Sequence, residues 1–537
     1  MMQVAQKWLT SRLNQWVVFL LVGGLLVRAT IAAWLYPGFD EAYYYLYVLH
    51  PDWSYFDHPL LVALSTGLGP WLTGEVSQFT IRIGTLLLYT GALIFLYLTS
   101  ATLFSAQVAT LTLAIATAIP IFQVGFGTLT VPDTPLMFFW AATLYVAARE
   151  FFRVPESYRP SWRLALISVL VGLACLGKYH GFLLGFGLVG FCFTSDRHRS
   201  ALLSPWMALG VGLFAVTLSP MLLWNWQRDW VSFRFQSGRA VPRDQYDLLA
   251  LLGTFLLGVA YLFPTFGFPL WWVTLRQAGK QIMQPWRRKS GIDLNLHSKQ
   301  RFILWMSLPV ILVFTLIGGY QQILPTWPMP GFWGATLLLG YQAALWQKEA
   351  PRAVQRWLVG SGTTIIALML IALLHVAFGI AQTTSNYAFL GGMWSPKEDS
   401  STQLVDVQQL RRGFADNPTL RAALQETDFI FTNRYFLGGQ IAMALEPLEP
   451  KLIGCLCEDL RGFAFWSKPS EWIGKDALYI TSERFQGKTG LAKYQGYFSS
   501  IEKIADVPIR RGGAIVQIFY IYRAKNLLQP YPRPYGN

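Results

Sequence analysis

GFDEAYYYLYVLHPDWSYFDHPLL, residues 38–61, is the stretch on which the reading of this chain turns. It follows an apolar run at 15–36 long enough to cross a bilayer, and Pro37 and Gly38 end that first helix. Directly outside stand Asp40, Glu41, Asp52, Asp57 and His58, packed among Tyr43, Tyr44, Tyr45, Tyr47, Trp53 and Tyr55. An aromatic belt at the membrane surface accounts for the rings. It does not account for the carboxylates Asp40, Glu41, Asp52, Asp57 and Glu75 with no Lys or Arg between 37 and 81. Ionisable groups at a membrane boundary point first to function, and low dielectric tunes a carboxylate toward a useful base.

The rest of the chain fits a membrane setting. Of 537 residues, 53% are hydrophobic and 13% charged, about half the charge of an ordinary soluble domain. The net charge of +14 does not indicate nucleic acid, because the cations sit mainly in short loops between apolar runs, where they orient helices. Expected spans are 15–36, 82–103, 106–122, 133–149, 164–178, 180–194, 202–223, 247–275, 302–319, 327–346 and 356–381, eleven in all by the length rule. The run 164–194 carries Lys-Tyr-His-Gly at its centre and reads as a hairpin. Lys7 and Arg12, Arg149 to Arg163, Arg197 and Arg199, the basic stretch 276–301, and Lys348 to Arg356 then face the cytoplasm. One long helix there would turn the basic stretch outward.

That topology puts the unusual polar residues on one outer face. Asp133 lies in Thr-Val-Pro-Asp-Thr-Pro (130–135), as a helix cap or as part of a site. Lys178 either snorkels to the interface or binds phosphate as a point charge. Trp224–Tyr246 interleaves Arg234, Arg239 and Arg243 with Trp and Phe, which suits either anionic headgroups or a lipid phosphate with apolar cover for its chain. Gly and Pro in 318–333 break a helix and imply a cavity. Cys175 and Cys192 read as core residues; Cys455 and Cys457, one residue apart, suit neither a relaxed disulfide nor a usual zinc site. There is no Walker loop, dinucleotide fingerprint, HExxH or paired CxxC, so nucleotide-driven transport lacks support.

Phe39-Asp40-Glu41-Ala42-Tyr43-Tyr44 with Asp52-Trp53-Ser54-Tyr55-Phe56-Asp57-His58-Pro59 resembles the first outer loop of GT-C glycosyltransferases. More narrowly it is similar to dolichyl-phosphate-mannose-protein mannosyltransferases and the bacterial aminoarabinose transferases. PDTPLMFFW, LGKYHG, LLWNWQRDWVSFRFQSGR and LPTWPMPGFW resemble further blocks in the same order, over about 15–345. Thr326 departs from the pattern, since relatives often carry Asn or His before the tryptophan. The resemblance implies a helical polytopic membrane fold and a polyprenyl-phosphate-sugar donor. It also implies inverting transfer to a lipid, glycan or protein acceptor at the extracytoplasmic face of a bacterial inner membrane, with Asp40 as the key acid and Glu41 beside it.

Chemistry distributes the remaining roles. Cations stabilise charge developing on the leaving phosphate, and Lys178, Arg234, Arg239 and Arg243 are the candidates. Asp40 deprotonates or orients an acceptor hydroxyl. Asp57, His58, Asp133, Tyr320, Gln321 and Trp327 are expected to contact sugar or acceptor, or to support those that do. No cofactor and no metal are expected. A flippase without chemistry shares the cation cluster but needs charges along a path to both faces; a scaffold leaves the first-loop carboxylates unexplained. After about 385 the spans stop. Short strands at 428–433, 477–481 and 513–524 and a helix at 434–445 predict a small extracytoplasmic α/β domain over 386–537 beside a transmembrane domain over 1–385.

Overall fold

The apolar runs of the sequence become helices. The computed structural model describes residues 11–153, 158–240, 245–283, 293–487 and 490–535. In chain order the helices are α1 Arg12–Trp34, α2 Phe39–Leu49, α3 Leu61–Thr73, α4 Ile83–Leu103, α5 Ala106–Ala118, α6 Asp133–Phe152, α7 Arg163–Gly177 and α8 Gly181–Thr194. Next come α9 Pro205–Trp226, α10 Val231–Ala240, α11 Leu248–Tyr261, α12 Pro264–Met283, α13 Leu294–Ile317, α14 Met329–Glu349 and α15 Pro351–Phe378.

Five of these (α1, α4, α9, α13 and α15) are long and apolar enough to cross a membrane by themselves, and α11 with α12 makes a sixth if counted as one broken span. The span expected over 247–275 is broken: α11 and α12 meet at a bend of 116°. Phe263 sits at the break with φ +67°, and Pro264 after it has no N–H to continue the ladder. The expected count of eleven also draws on α5, α7 and α8, apolar helices of 13, 15 and 14 residues. The hairpin at 164–194 is present as α7 and α8, with Lys178 closing α7.

The chain packs as two compact units that do not follow chain order. One comprises Met1–Ala29, His58–Leu61 and Thr85–Ala367; the other comprises Thr30–Asp57, Val62–Gly84 and Leu368–Asn537. Apart from His58–Leu61, the first loop therefore belongs with the C-terminal residues. There α16 Val407–Asp416, α17 Pro418–Glu426 and α18 Tyr435–Leu445 accompany a five-stranded sheet. Its strands are β1 Phe429–Thr432, β2 Leu452–Cys455, β3 Ala477–Ser482, β4 Phe498–Arg511 and β5 Ala514–Leu527, in the order β2-β1-β3-β5-β4. β1 runs parallel to both neighbours and is buried along its whole length, as the unbroken run Phe-Ile-Phe-Thr requires. β4 and β5 form a hairpin over Gly512-Gly513, both at positive φ, a turn that glycine makes without strain.

Cys455 and Cys457 form a disulfide, which corrects the sequence expectation. The Leu456 N–H still donates to the Thr432 carbonyl, and the chain bends at Cys457, bringing the two cysteines together. Their Cα atoms lie 5.4 Å apart, within the range a disulfide spans. Cys175 and Cys192 are free and buried, as expected.

Candidate active site

The first loop opens with α2, whose N-terminus is fixed from both sides. Glu41 accepts from the Gly38 N–H at 3.1 Å and from Arg82 twice, Nε to Oε1 at 2.8 Å and Nη2 to Oε2 at 2.6 Å. Arg82 also donates to the carbonyls of Ala32 at 2.9 Å, Leu35 at 2.6 Å and Tyr36 at 3.4 Å. Those carbonyls belong to the end of α1 and the segment after it, where a helix leaves its acceptors without intrahelical partners. Arg82 is fully buried and the Glu41 side chain is 3% exposed. Charges so buried are tolerated when geometry is good and further hydrogen bonds are made, and here all five guanidinium N–H groups are used. Glu41, expected to act in catalysis, is thus committed to Arg82. Asp40, one residue earlier in the same helical turn, is exposed.

Asp57 is 1% exposed. It takes Arg461 Nη1 at 2.9 Å on one oxygen, and the hydroxyls of Tyr47 and, at 3.5 Å, Tyr43 on the other. The Tyr43 oxygen in turn accepts from the Gly462 N–H at 2.9 Å. The Arg461 guanidinium lies 4.2 Å from the centre of the Tyr435 ring. Burial pushes the Tyr435 hydroxyl up to about 12; Arg461 opposes this, while Asp40, Asp57 and Asp459 add to it. Asp40, Asp57, Arg461 and Tyr435 therefore share one electrostatic neighbourhood. Close backbone approach joins the helices that carry Asp40 and Tyr435: a Cβ on Gly439 of α18 would come within 2.2 Å of the Ala42 carbonyl carbon in α2.

The aromatic run is neither a belt nor an open floor. Tyr43, Tyr44, Tyr45 and Tyr47 are each 4% exposed or less and are buried within this unit. Tyr47 stacks on Tyr55 at 3.9 Å, and His50 stacks on Trp466 at 4.7 Å.

In the other unit Asp133 opens α6, and both its carboxylate oxygens accept from Lys178 Nζ, at 2.8 and 2.9 Å. Each residue is 6% exposed. His180 stacks on Phe314 at 4.7 Å and meets Trp327 at 5.9 Å. Lys178, His58 and Arg239 all act electrostatically on His180. Arg239 lies over Trp327 at 5.4 Å and over Phe235 at 5.5 Å, and its carbonyl accepts from the Gln321 amide. Tyr320 packs on Tyr246 at 4.7 Å. A cavity of about 580 Å³ opens beside them, lined by Asp247, Thr254, Gly318, Tyr320, Gln321 and Gln322 among others. The glycine- and proline-rich segment thus borders a cavity, as such backbone requires. Arg234 is exposed on the same helix as Arg239, about 140° round it by the helical period. Arg243 lies outside the described residues.

Of the expected site residues, one unit holds Asp40, Glu41 and Asp57; the other gathers His58, Asp133, Lys178, Arg239, Tyr320, Gln321 and Trp327. Arg82, Arg461, Tyr435 and His180 were not among them. Arg82 had one signal, as the cation that ends the acidic stretch; Arg461 had none. Among the described residues, no three of His, Cys, Asp and Glu gather as a metal site would need.

Residues 57–224 match the family model of dolichyl-phosphate-mannose-protein mannosyltransferases. A curated relative, the lipid A galacturonosyltransferase RgtD of Rhizobium johnstonii, is 25% identical over 304 residues, 56% of this chain and 59% of that protein. The chain thus spans less than two thirds of that relative's length. Among solved structures, apo ArnT from Cupriavidus metallidurans superposes with a TM-score of 0.59 at 15% identity, covering 95% of this chain and 98% of that one. The same protein bound to undecaprenyl phosphate gives 0.57 over the same shares. At that identity the likeness is one of fold. The chain thus shares the ArnT fold, and residues 57–224 of its membrane half match a mannosyltransferase family model.

Proposed function

We propose that the chain transfers a sugar from a polyprenyl-phosphate donor to an acceptor at the extracytoplasmic face, with inversion. The observation that carries this reading is the state of the two adjacent acids: Glu41 is spent on Arg82, while Asp40 is held exposed on a fixed helix terminus. A carboxylate so placed suits the base of a single displacement. It takes the acceptor's proton as the acceptor oxygen bonds the anomeric carbon, and the bond from that carbon to the phosphate oxygen breaks, releasing polyprenyl phosphate. Arg239, Arg234, Arg243 and Lys178 are the proposed phosphate partners; charge-assisted contacts of this kind favour Arg and Lys. His58, Asp133, Tyr320, Gln321 and Trp327 are proposed to bind or support sugar and acceptor. Asp57 is assigned a supporting role, since Arg461 and two tyrosines occupy it.

Two facts support the polyprenyl donor and the outer face. The ArnT structure named above binds undecaprenyl phosphate. The disulfide Cys455–Cys457 suits an oxidising compartment. No metal step enters the scheme, so a chelator is expected to leave turnover unchanged.

The test is release of polyprenyl phosphate, followed by mass spectrometry, from nanodisc-embedded protein given a panel of polyprenyl-phosphate sugars with membrane extract as acceptor source. Asp40→Asn is expected to lower the rate by about 10²–10⁴-fold with thermal stability retained. Equal release from Asp40→Asn would remove Asp40 from the chemistry. No release from any donor would favour transport of a polyprenyl lipid instead.

A further inference from the structure

The segment between the last span and the C-terminal sheet has a feature that transfer chemistry does not use. From Val376 to Pro396 the chain carries no charged residue. Within it Tyr387, Phe389, Leu390, Met393 and Trp394 are 60, 74, 89, 71 and 45% exposed. Contiguous apolar surface of this kind on a water-facing loop is uncommon and marks an interaction site.

The loop is built rather than loose. Phe389 N–H donates to the Ile380 carbonyl at 2.7 Å, Met393 N–H to Ala381 at 2.8 Å, and Thr383 N–H to Trp394 at 3.0 Å. Asn386 N–H reaches Gly512 at the β4–β5 turn at 2.8 Å. Leu390, Gly391 and Gly392 all take positive φ, which turns the tip back on itself. Backbone groups are thus satisfied internally while the large side chains are left outside.

Its height is fixed by contacts with the last turn of α15. Tyr387 packs on Phe378 at 5.4 Å, and Trp394 lies 6.2 Å from His375. Trp34, the last residue of α1, meets the same Phe378 at 6.4 Å. The ends of two apolar spans and the aromatic loop therefore share one level. Trp and Tyr favour that level of a bilayer, and apolar side chains beside them enter the acyl boundary.

We propose that residues 387–394 form a membrane foot: a rigid loop whose Phe389, Leu390 and Met393 insert into the lipid interface and seat the C-terminal sheet on the bilayer surface. The occupant is lipid, because the patch is continuous with a span whose most apolar window is only 17% buried by protein.

Leu390→Cys, spin-labelled in the full chain in phosphatidylethanolamine–phosphatidylglycerol nanodiscs, tests this. Label on the unsubstituted protein measures the background from Cys175 and Cys192, and Glu502→Cys on exposed β4 is the aqueous reference. The ratio of collisions with oxygen to collisions with a water-soluble nickel complex is expected to be at least threefold higher at 390 than at 502. Equal ratios would place the loop in water and overturn the proposal. Protection from both reagents would mean that a second protein copy or another polypeptide covers it, and would overturn it equally. If Leu390→Cys fails to fold, Met393→Cys gives the same reading.

Discussion

Two buried ion pairs, one in each unit, behave differently, and the difference separates scaffold from working group. In Glu41–Arg82 the guanidinium fork is used completely, with two contacts to the carboxylate and three to backbone carbonyls. In Lys178–Asp133, among the described residues, the ammonium hydrogen-bonds only Asp133, at two distances that differ by a tenth of an ångström. A saturated fork has nothing left to offer a ligand. A lysine that spends itself on one carboxylate can exchange that carboxylate for a phosphate with little rearrangement.

The comparison breaks first at the clamp. Arg82→Ala is expected to cost about 3–5 kcal/mol, because it strands the Glu41 carboxylate and uncovers the end of α1. Arg82→Lys should recover little, since an ammonium cannot supply the planar fork. Neutralising the pair as Glu41→Gln/Arg82→Met should fail as well, because the contacts to Ala32, Leu35 and Tyr36 are lost with the charge. Thermal unfolding of the detergent-solubilised protein checks all three. Native-like stability in the double variant would show the clamp to be a simple ion pair.

Little of this was legible in the sequence. Five of the expected spans were, because a run of about twenty apolar residues has few other uses. The break at Phe263 was not read, although Pro264 stood in the apolar run to signal it. The four secondary-structure segments expected after 385 lie where hydrophobic runs put them, yet β4 alternates buried and exposed positions too irregularly to register. The tyrosines of α2 were visible as a cluster, but not what they pack on: their partners Tyr435 and Trp466 lie about four hundred residues on. For the same reason Asp57–Arg461 could not be anticipated. Residue type announced that the loop was unusual; only the fold tells Asp40, exposed, from Glu41 and Asp57, both buried.

If the buried charges of the unit containing α2 serve to hold it together, its interior should resist a new one. His50 tests this. Burial lowers its pKa from 6.5 to about 4, so the ring stacked on Trp466 is neutral in the folded protein. The depressed value makes the contribution to stability complete above pH 6.5 and progressively lost as the pH falls toward 4, where the unfolded chain binds the proton first. The loss should reach about 2 kcal/mol after allowing for partial exposure. His50→Phe keeps a ring against Trp466 and removes the proton, so its stability should be flatter across that window. An unchanged acid profile in the variant would assign the loss to other groups.

The disulfide makes a smaller demand on the same unit. It closes a three-residue loop, worth about 1.5 kcal/mol by chain entropy, and lies four residues before Arg461. Cys455→Ser/Cys457→Ser should lower stability by that amount, and reductant should reproduce the loss in the unsubstituted protein and add nothing to the double variant. Indifference to reductant in both would mean that the bond constrains nothing the fold does not already hold.

The lysine pair should respond in the opposite sense to the clamp. Asp133→Asn/Lys178→Met removes both charges together and keeps the approximate volume, and such replacements are close to neutral in stability. What it removes is the buried cation. If Lys178 leaves Asp133 for the donor phosphate, the KM for a polyprenyl-phosphate sugar should rise about tenfold, equivalent to about 1.4 kcal/mol, with thermal stability little changed. Asp133→Asn alone weakens the hold on Lys178 without removing the cation, so it should leave donor KM equal or lower. Unequal costs in the two double variants, stability lost at the clamp and affinity lost at the lysine, are the signature of the division of labour drawn above. Equal loss of stability in both would make Lys178–Asp133 a second clamp and leave Arg239 as the cation to examine for the phosphate.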